Sequence, residues 1–150
     1  MTIPMPTTIE AALIQSMKDE ASINDEVEGR IHPVRNIAAS AGKKRIVVRR
    51  ISGPRFMTLN GPSGLANPRI QVQCWAPQYT EAKSLAALVR LWLDGFRGDM
   101  SGITVNALEI EDDIDVDEPS AGLDQQADYG VSMDALFLHQ ETINVLRVES

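Results

Sequence analysis

Arg69-Ile70-Gln71-Val72-Gln73-Cys74-Trp75-Ala76, with Thr80-Glu81-Ala82 shortly after it, decides how this chain must fold. Successive side chains of a strand point to opposite faces, so Ile70, Val72, Cys74 and Ala76 share one side and Arg69, Gln71, Gln73 and Trp75 the other. That is a sheet with one dry face, which something apolar must cover. The next segment supplies the cover. From Glu81 to Arg97, Ala82, Leu85, Ala86, Val89, Trp92, Leu93 and Phe96 recur at helical spacing, while Ser84, Arg90, Asp94 and Arg97 point away. Thr80 is a suitable N-cap, Glu81 suits the positive end and Gly98 is a natural stop. The expected core joins Ile70, Val72, Cys74, Leu85, Val89, Trp92, Leu93 and Phe96. Cys74 on the dry face reads as a small buried hydrophobe, because apolar surroundings make a thiol inert.

Working outward, Thr8 to Asp19 reads as a helix. Thr7 and Glu10 have capping-box spacing, and Ile9, Ala12, Leu13, Ser16 and Met17 form one mostly apolar face. Asn24 to Gly29 reads as a polar loop. Arg30 to Val34 reads as a short extended piece that Pro33 confines to an edge or a bulge. Residues 36–44 read as a loop and Arg45 to Ile51, rich in β-branched residues, as a strand. Asn60-Gly61-Pro62-Ser63-Gly64 is dense turn chemistry joining two antiparallel strands. Ile103 to Ile110 reads as a strand whose apolar parity switches at Ala107-Leu108, the mark of a bulge or a sheet end. Asp128 to Leu138 alternates, with Tyr129, Val131, Met133, Ala135 and Phe137 on one side. Thr142 to Val148 reads either as a last edge strand or as a tail that reaches a neighbour. The order is helix, strands, helix, strands. It predicts one α+β domain over residues 1–150: a mainly antiparallel or mixed sheet with two helices packed on one face, and an acidic arm at about 109–119.

The net charge of −7 hides an asymmetry. Residues 1–98 carry 13 Lys/Arg against 8 Asp/Glu; residues 99–150 carry 1 against 13. Unlike parts of one chain attract, within a subunit or between copies. The candidate subunit or partner interface therefore pairs a basic set, Lys43, Lys44, Arg45, Arg49 and Arg50, with an acidic one, Asp112, Asp113, Asp115, Asp117 and Glu118. The acidic set is expected to project from the sheet toward a partner or channel; its competing reading is a solvated loop. No apolar run approaches the roughly 20 residues that cross a membrane, and the first residues do not read as a secretory signal. A single cysteine excludes an internal disulfide and fits a reducing cytoplasm.

Sites for chemistry are scarce. His32 and His139 are over a hundred residues apart and neither has a nearby ligand partner. Asp113-x-Asp115-x-Asp117 resembles the start of a calcium loop. It has Glu118 where the turn needs Gly, and Asp124 where the loop needs a bidentate Glu. No nucleophile elbow or phosphate loop occurs. Except for Phe56, the basic stretch lacks the interleaved aromatics of a single-strand nucleic-acid platform. No catalytic residue, metal or cofactor is expected.

One resemblance covers residues 9–98 well and the remainder loosely. It is carried by Gly29-Arg30-Ile31-His32-Pro33 before an Ile/Val strand, Leu59-Asn60-Gly61-x-x-Gly64-Leu65, Arg69 to Ala76, and Tyr79-Thr80-Glu81-Ala82 opening a helix with Leu85-Ala86, Val89-Arg90 and Leu93-Asp94. These segments, in this order, resemble the small tail-completion proteins of long-tailed phages and phage-like particles, also called tail terminators or tail-to-head joining proteins. Ala39 to Lys44 departs from that family's proline-led entry to the strand. The resemblance implies a structural virion protein, not an enzyme: a homo-hexameric ring at the tail-head junction. The ring would cap the tail tube, end its growth and meet the major tail-tube protein and the head-connector protein, while DNA passes through without sequence-specific binding and no membrane is involved. Two other readings stay open: a small enzyme or ligand-binding domain, and a neighbouring head-tail adaptor or minor tail subunit.

Overall fold

A computed structural model describes residues 7–33, 42–58, 61–118 and 128–141. The chain runs α1 (Ile9–Asp19), α2 (Ala21–Val27), β1 (Ile31–Pro33), β2 (Arg45–Ser52), β3 (Arg55–Thr58), β4 (Gly61–Ala66), β5 (Arg69–Ala76), α3 (Tyr79–Leu93), β6 (Gly98–Met100), β7 (Ile103–Glu118) and β8 (Asp128–Gln140). The class is α+β, as the order of segments predicts. All eight strands join one mixed sheet, with β2, β5, β8 and β7 side by side in antiparallel pairs. β1 adds to the outer edge of β2 in the parallel sense, and β6 to β7. β4 follows β5 along one side of β8, and β3 pairs with β4.

Register puts the dry residues in rows. Ile46 lies beside Cys74 and Cys74 beside Val131; Val48 beside Val72 and Val72 beside Met133; Ile70 beside Ala135. All are within 2% of complete burial. Leu85, Val89 and Leu93 of α3 and Leu13 and Met17 of α1 close over these rows. Burying one such side chain stabilises by roughly 1.5–3 kcal/mol, so the rows set which face the helices take. A slip of one residue would turn every row outward.

The structure corrects several local expectations. Residues 21–27, which include part of the expected loop, form α2, whose Ile23 and Val27 are fully buried. Two apolar residues four apart were too short a pattern to announce a helix. Glu28 (φ 50°) and Gly29 (φ 78°) then end it in the left-handed region. The α1 cap is Thr8, whose hydroxyl accepts from the Ala11 N–H; Glu10 closes no capping box and instead accepts from Arg50. α3 begins at Tyr79 and stops at Leu93, where Asp94 turns extended and Gly95 takes φ 79°. Trp92 and Phe96 are therefore half-buried at the core's rim, their rings 5.6 Å apart, instead of central to it. Gly61 to Gly64 lie inside β4, with Gly61 opposite Thr58, so only Leu59 and Asn60 separate the strands. Pro33 does sit on an edge strand. The parity switch in β7 is a register shift between Val105 and Ala107, with a second between Ile110 and Asp112. Thr142 to Val148 and most of the expected loop at 36–44 lie outside the described residues.

On the helix-free face one aromatic is buried where alternation alone predicts exposure. Trp75 is only 6% exposed, and its register partner is Gly130. A Cβ at position 130 would lie 2.8 Å from the Trp75 ring, closer than real contacts allow. The indole thus occupies the space that a side chain at 130 would need. Gly130→Ala should destabilise by about 1–3 kcal/mol, the usual cost of overpacking. In Gly130→Ala/Trp75→Ala the two losses should fall short of additive, because the clash is gone. Denaturant titration of the four proteins checks this; strict additivity would show that the ring and the glycine do not share that space.

Candidate assembly interface

The basic set does not form one surface. Arg45 is the main correction. It is fully buried, with its Nη1 2.9 Å from Asp128 Oδ2 and its guanidinium over the Trp75 ring, 5.6 Å from the centroid. Asp128 Oδ2 also accepts from the Gly42 N–H. A charge this deep must be paired to stay ionised, so the Arg45–Asp128 bridge fastens the start of β2 to the start of β8 and is closed to an outside partner. Sequence offered no sign of it, since Arg45 and Asp128 are 83 positions apart. Lys44 pairs with Glu26 at 2.7 Å, and this hydrogen bond raises the Lys44 pKa above its ordinary value. Arg50 grips Glu10 Oε1 through Nε (2.9 Å) and Nη2 (2.6 Å), which ties β2 to α1. Lys43 and Arg49 are exposed and have no ion-pair partner among the described residues.

The acidic set does not project as an arm. The ribbon from Glu111 to Glu118 is extended and two-faced, as its alternation predicts, but it is the second half of β7. It stays in register with β8 as far as Glu118 opposite Asp128. Asp113 and Asp115 lie on the helix face and are held by α3. Arg90 reaches Asp113 at 2.9 Å, and Lys83 and the Tyr79 hydroxyl both donate to Asp115. Those two bonds, Lys83 first, lower the Asp115 pKa below the usual carboxylate range. Tyr79 is fixed in turn by an edge-on contact with Tyr129 at 6.1 Å. The α3 partners were missed because Arg90 reads as part of the solvated side of the helix and nothing in the spacing singles out Lys83. Only the register shift after Ile110 turns the carboxylates toward them. Asp112, on the other face, is exposed and carries no partner among the described residues. Asp117 and Glu118 are placed by backbone register alone.

Arg69 stands between Glu111 (2.6 Å) and Asp134 (3.2 Å) on the helix-free face, and Arg55 pairs with Glu141 at 2.6 Å. Much of the attraction expected between copies is thus satisfied within one chain. The helix-free face keeps a gradient: Arg49, Gln71, Asp134 and Asp112 lie in one row across four strands, from basic to acidic.

A cleft of about 550 Å³ opens between α1 and the β1–β2 edge, with Ile14, Val48 and Pro33 as apolar lining and Lys18, Arg49 and Arg50 as cations. Burial first, and then the nearby Lys18, Arg45 and Arg30, lower the His32 pKa. Among the described residues, no group of three or more His, Cys, Asp or Glu is placed to hold a metal ion. Cys74 is fully buried, and desolvation pushes its thiol pKa up.

No family model and no curated protein matches the chain. Among solved structures, a chain of one described as "Virion of native gene transfer agent (GTA) particle" shares the fold. The TM-score is 0.58 over 89% of this chain and 93% of that one, at 17% sequence identity. The two chains are similar through nearly their whole lengths.

The buried bridge makes a definite expectation. Arg45→Met should cost about 3–5 kcal/mol, because it strands the Asp128 charge inside the protein. Arg45→Met/Asp128→Leu should recover much of that loss. Urea unfolding checks both, and a double variant as unstable as the single one would mean that the stranded charge is not the cause.

The Asp115 tether carries a pH sign. Its carboxyl pKa is depressed by folding, so its contribution is present above the unfolded carboxylate pKa and is lost as pH falls through the lower folded one. Asp115→Asn should flatten the acid side of the stability profile. Equal acid slopes in parent and variant would count against the tether.

Proposed function

We propose that this chain is a structural protein of a phage-like virion, and within it the ring-forming subunit that caps the tail tube and joins it to the head connector. The observation that carries the coarser reading is the near end-to-end fold likeness to a chain of the gene transfer agent virion. The finer role is supported by the resemblance of residues 9–98, above all Arg69 to Asp94, to tail-completion proteins. Those residues are the β5–α3 unit at the centre of the core.

On this reading the protein works by contact and not by chemistry. Copies associate into a cyclic homo-oligomer, a hexamer, at the tail-head junction; one surface meets the tail-tube protein and another the head connector. DNA crosses the ring without base-specific contacts. The acidic residues of β7 suit such a conduit, because negative walls repel phosphate where a basic lining would bind it in a salt-dependent way.

The test is electron microscopy of particles made without this protein. Tails of uncontrolled length, detached from heads, are the expected result. Normal joined particles would end the tail-terminator reading.

A further inference from the structure

Among the described residues, the sheet has two edges that no strand fully covers, and they are opposite in charge. On β7, the outer edge is bonded as far as Ile110: the Gly95 N–H donates to the Leu108 carbonyl, and Asp94 Oδ1 accepts from the Ile110 N–H. From Glu111 to Glu118 no described strand lies along it, although the inner edge stays paired with β8 throughout. On β2, β1 covers only Ile46 to Val48. Beyond Pro33 the outer edge from Arg49 to Ser52 has no described strand, and there the cleft opens beside α1. Unpaired backbone groups on a strand edge are a template for another strand.

We infer that the cleft at the Arg49–Ser52 edge takes the acidic outer edge of β7 from a second copy, so that the sheet runs on from subunit to subunit. The inference rests on the ring-forming reading above and names the surfaces that would close the ring. Four observations carry it. First, Lys18 and Arg49 at the cleft have no ion-pair partner among the described residues, and neither has Asp112 on β7. Second, β7 leaves Ile114 59% exposed on the helix-free face, the face that also carries Arg49, and Ile51 beside Arg49 is 49% exposed. Two exposed β-branched residues flanked by unlike charges gain by meeting.

Third, strand sense fits. β2 pairs antiparallel with β5, β5 with β8 and β8 with β7, so β2 and β7 run oppositely within one copy. Rotation about an axis near the strand direction therefore brings β7 antiparallel to the next β2. It also keeps the helix side continuous, with Asp113 and Asp115 turned toward the α1 side that carries Lys18. Fourth, the acidic edge repels a copy of itself, which excludes like-with-like pairing and leaves the basic edge as its match. A contact between two different surfaces of the same chain is heterologous, the kind that closes into rings.

Cysteine cross-linking tests this. The native thiol is buried, so new surface cysteines report alone. The variants are Arg49→Cys, Ile114→Cys and the double variant, oxidised in dilute solution after assembly. Within one copy β2 and β7 are three strand spacings apart, about 14 Å, too far for a disulfide, which needs Cα atoms within about 7 Å. Any bond at these positions is therefore between copies. Each single variant should stay uncrosslinked, their mixture should give dimers, and the double variant a ladder ending at the closed ring.

A second measurement uses charge. Arg49→Glu should weaken association at least tenfold by sedimentation, and adding Asp112→Arg should restore it. The inference is overturned in three cases: if rings form and the double variant gives no ladder, if the charge exchange restores nothing, or if the protein is monomeric at every concentration. The terminator reading fails separately, by normal particles in the absence of the protein. A ladder with normal particles would keep the interface and discard that role.

Discussion

The rows that join β2, β5 and β8 on the dry face are the constraint on which the rest depends. Three strands contribute Ile46, Val48, Ile70, Val72, Cys74, Val131 and Met133 to one continuous buried patch. A patch of that width cannot be covered by one helix, whose apolar stripe is narrow. α3 covers the β5–β8–β7 part and α1 the β1–β2 part. The missed helix α2 packs against α1 and α3, and its Ile23 and Val27 join the core between those two helices.

Charge plays a different role from the one that its distribution along the chain suggests. The basic first part and acidic second part attract, but mostly inside one molecule. Arg45 meets Asp128, Arg69 meets Glu111 and Asp134, Arg90 meets Asp113, and Lys83 meets Asp115. These bridges differ in weight. The exposed ones are each worth at most about 1 kcal/mol and are screened by salt. The buried Arg45–Asp128 pair adds little net stability, yet forbids alternative registers, because any slip would strand a charge. It clamps the start of β2 to the start of β8 through the Trp75 ring, on the side of the sheet where no described helix helps.

The legible part of the fold was the part governed by short periods. β5, β8 and the centre of α3 show their dry faces in two- and three-four spacing, and the register shift in β7 shows as a broken parity at Ala107-Leu108. Less legible were features that depend on what a residue meets across the sheet. Trp75 alternates with Gln73 and Gln71 and so reads as exposed; it is buried because Gly130, two strands of sequence away, has no side chain. Arg45 reads as one more cation in a basic stretch until Asp128 is beside it. Gly61 to Gly64 carry the composition of a turn but pair as a strand, since turn residues are permitted, not required, to turn. The candidate interface was read as two opposed charge sets. Of those two sets, Lys43, Arg49 and Asp112 are exposed and have no ion-pair partner among the described residues.

What remains unsatisfied after the internal pairing is therefore more informative than the raw charge split. A sheet must end somewhere, and natural edges are blunted by charge, short strands or bulges. Here both edges carry such devices, but of opposite sign: carboxylates on β7, and Arg49 of β2 with Lys18 of α1 at the other edge. Protection against every partner would be served as well by one sign on both edges, since like charges would then repel in every pairing. Opposite signs instead block two of the three edge pairings and leave the third attractive. That asymmetry, together with a cleft along which no described strand covers the edge, is what a directional, self-limiting contact requires.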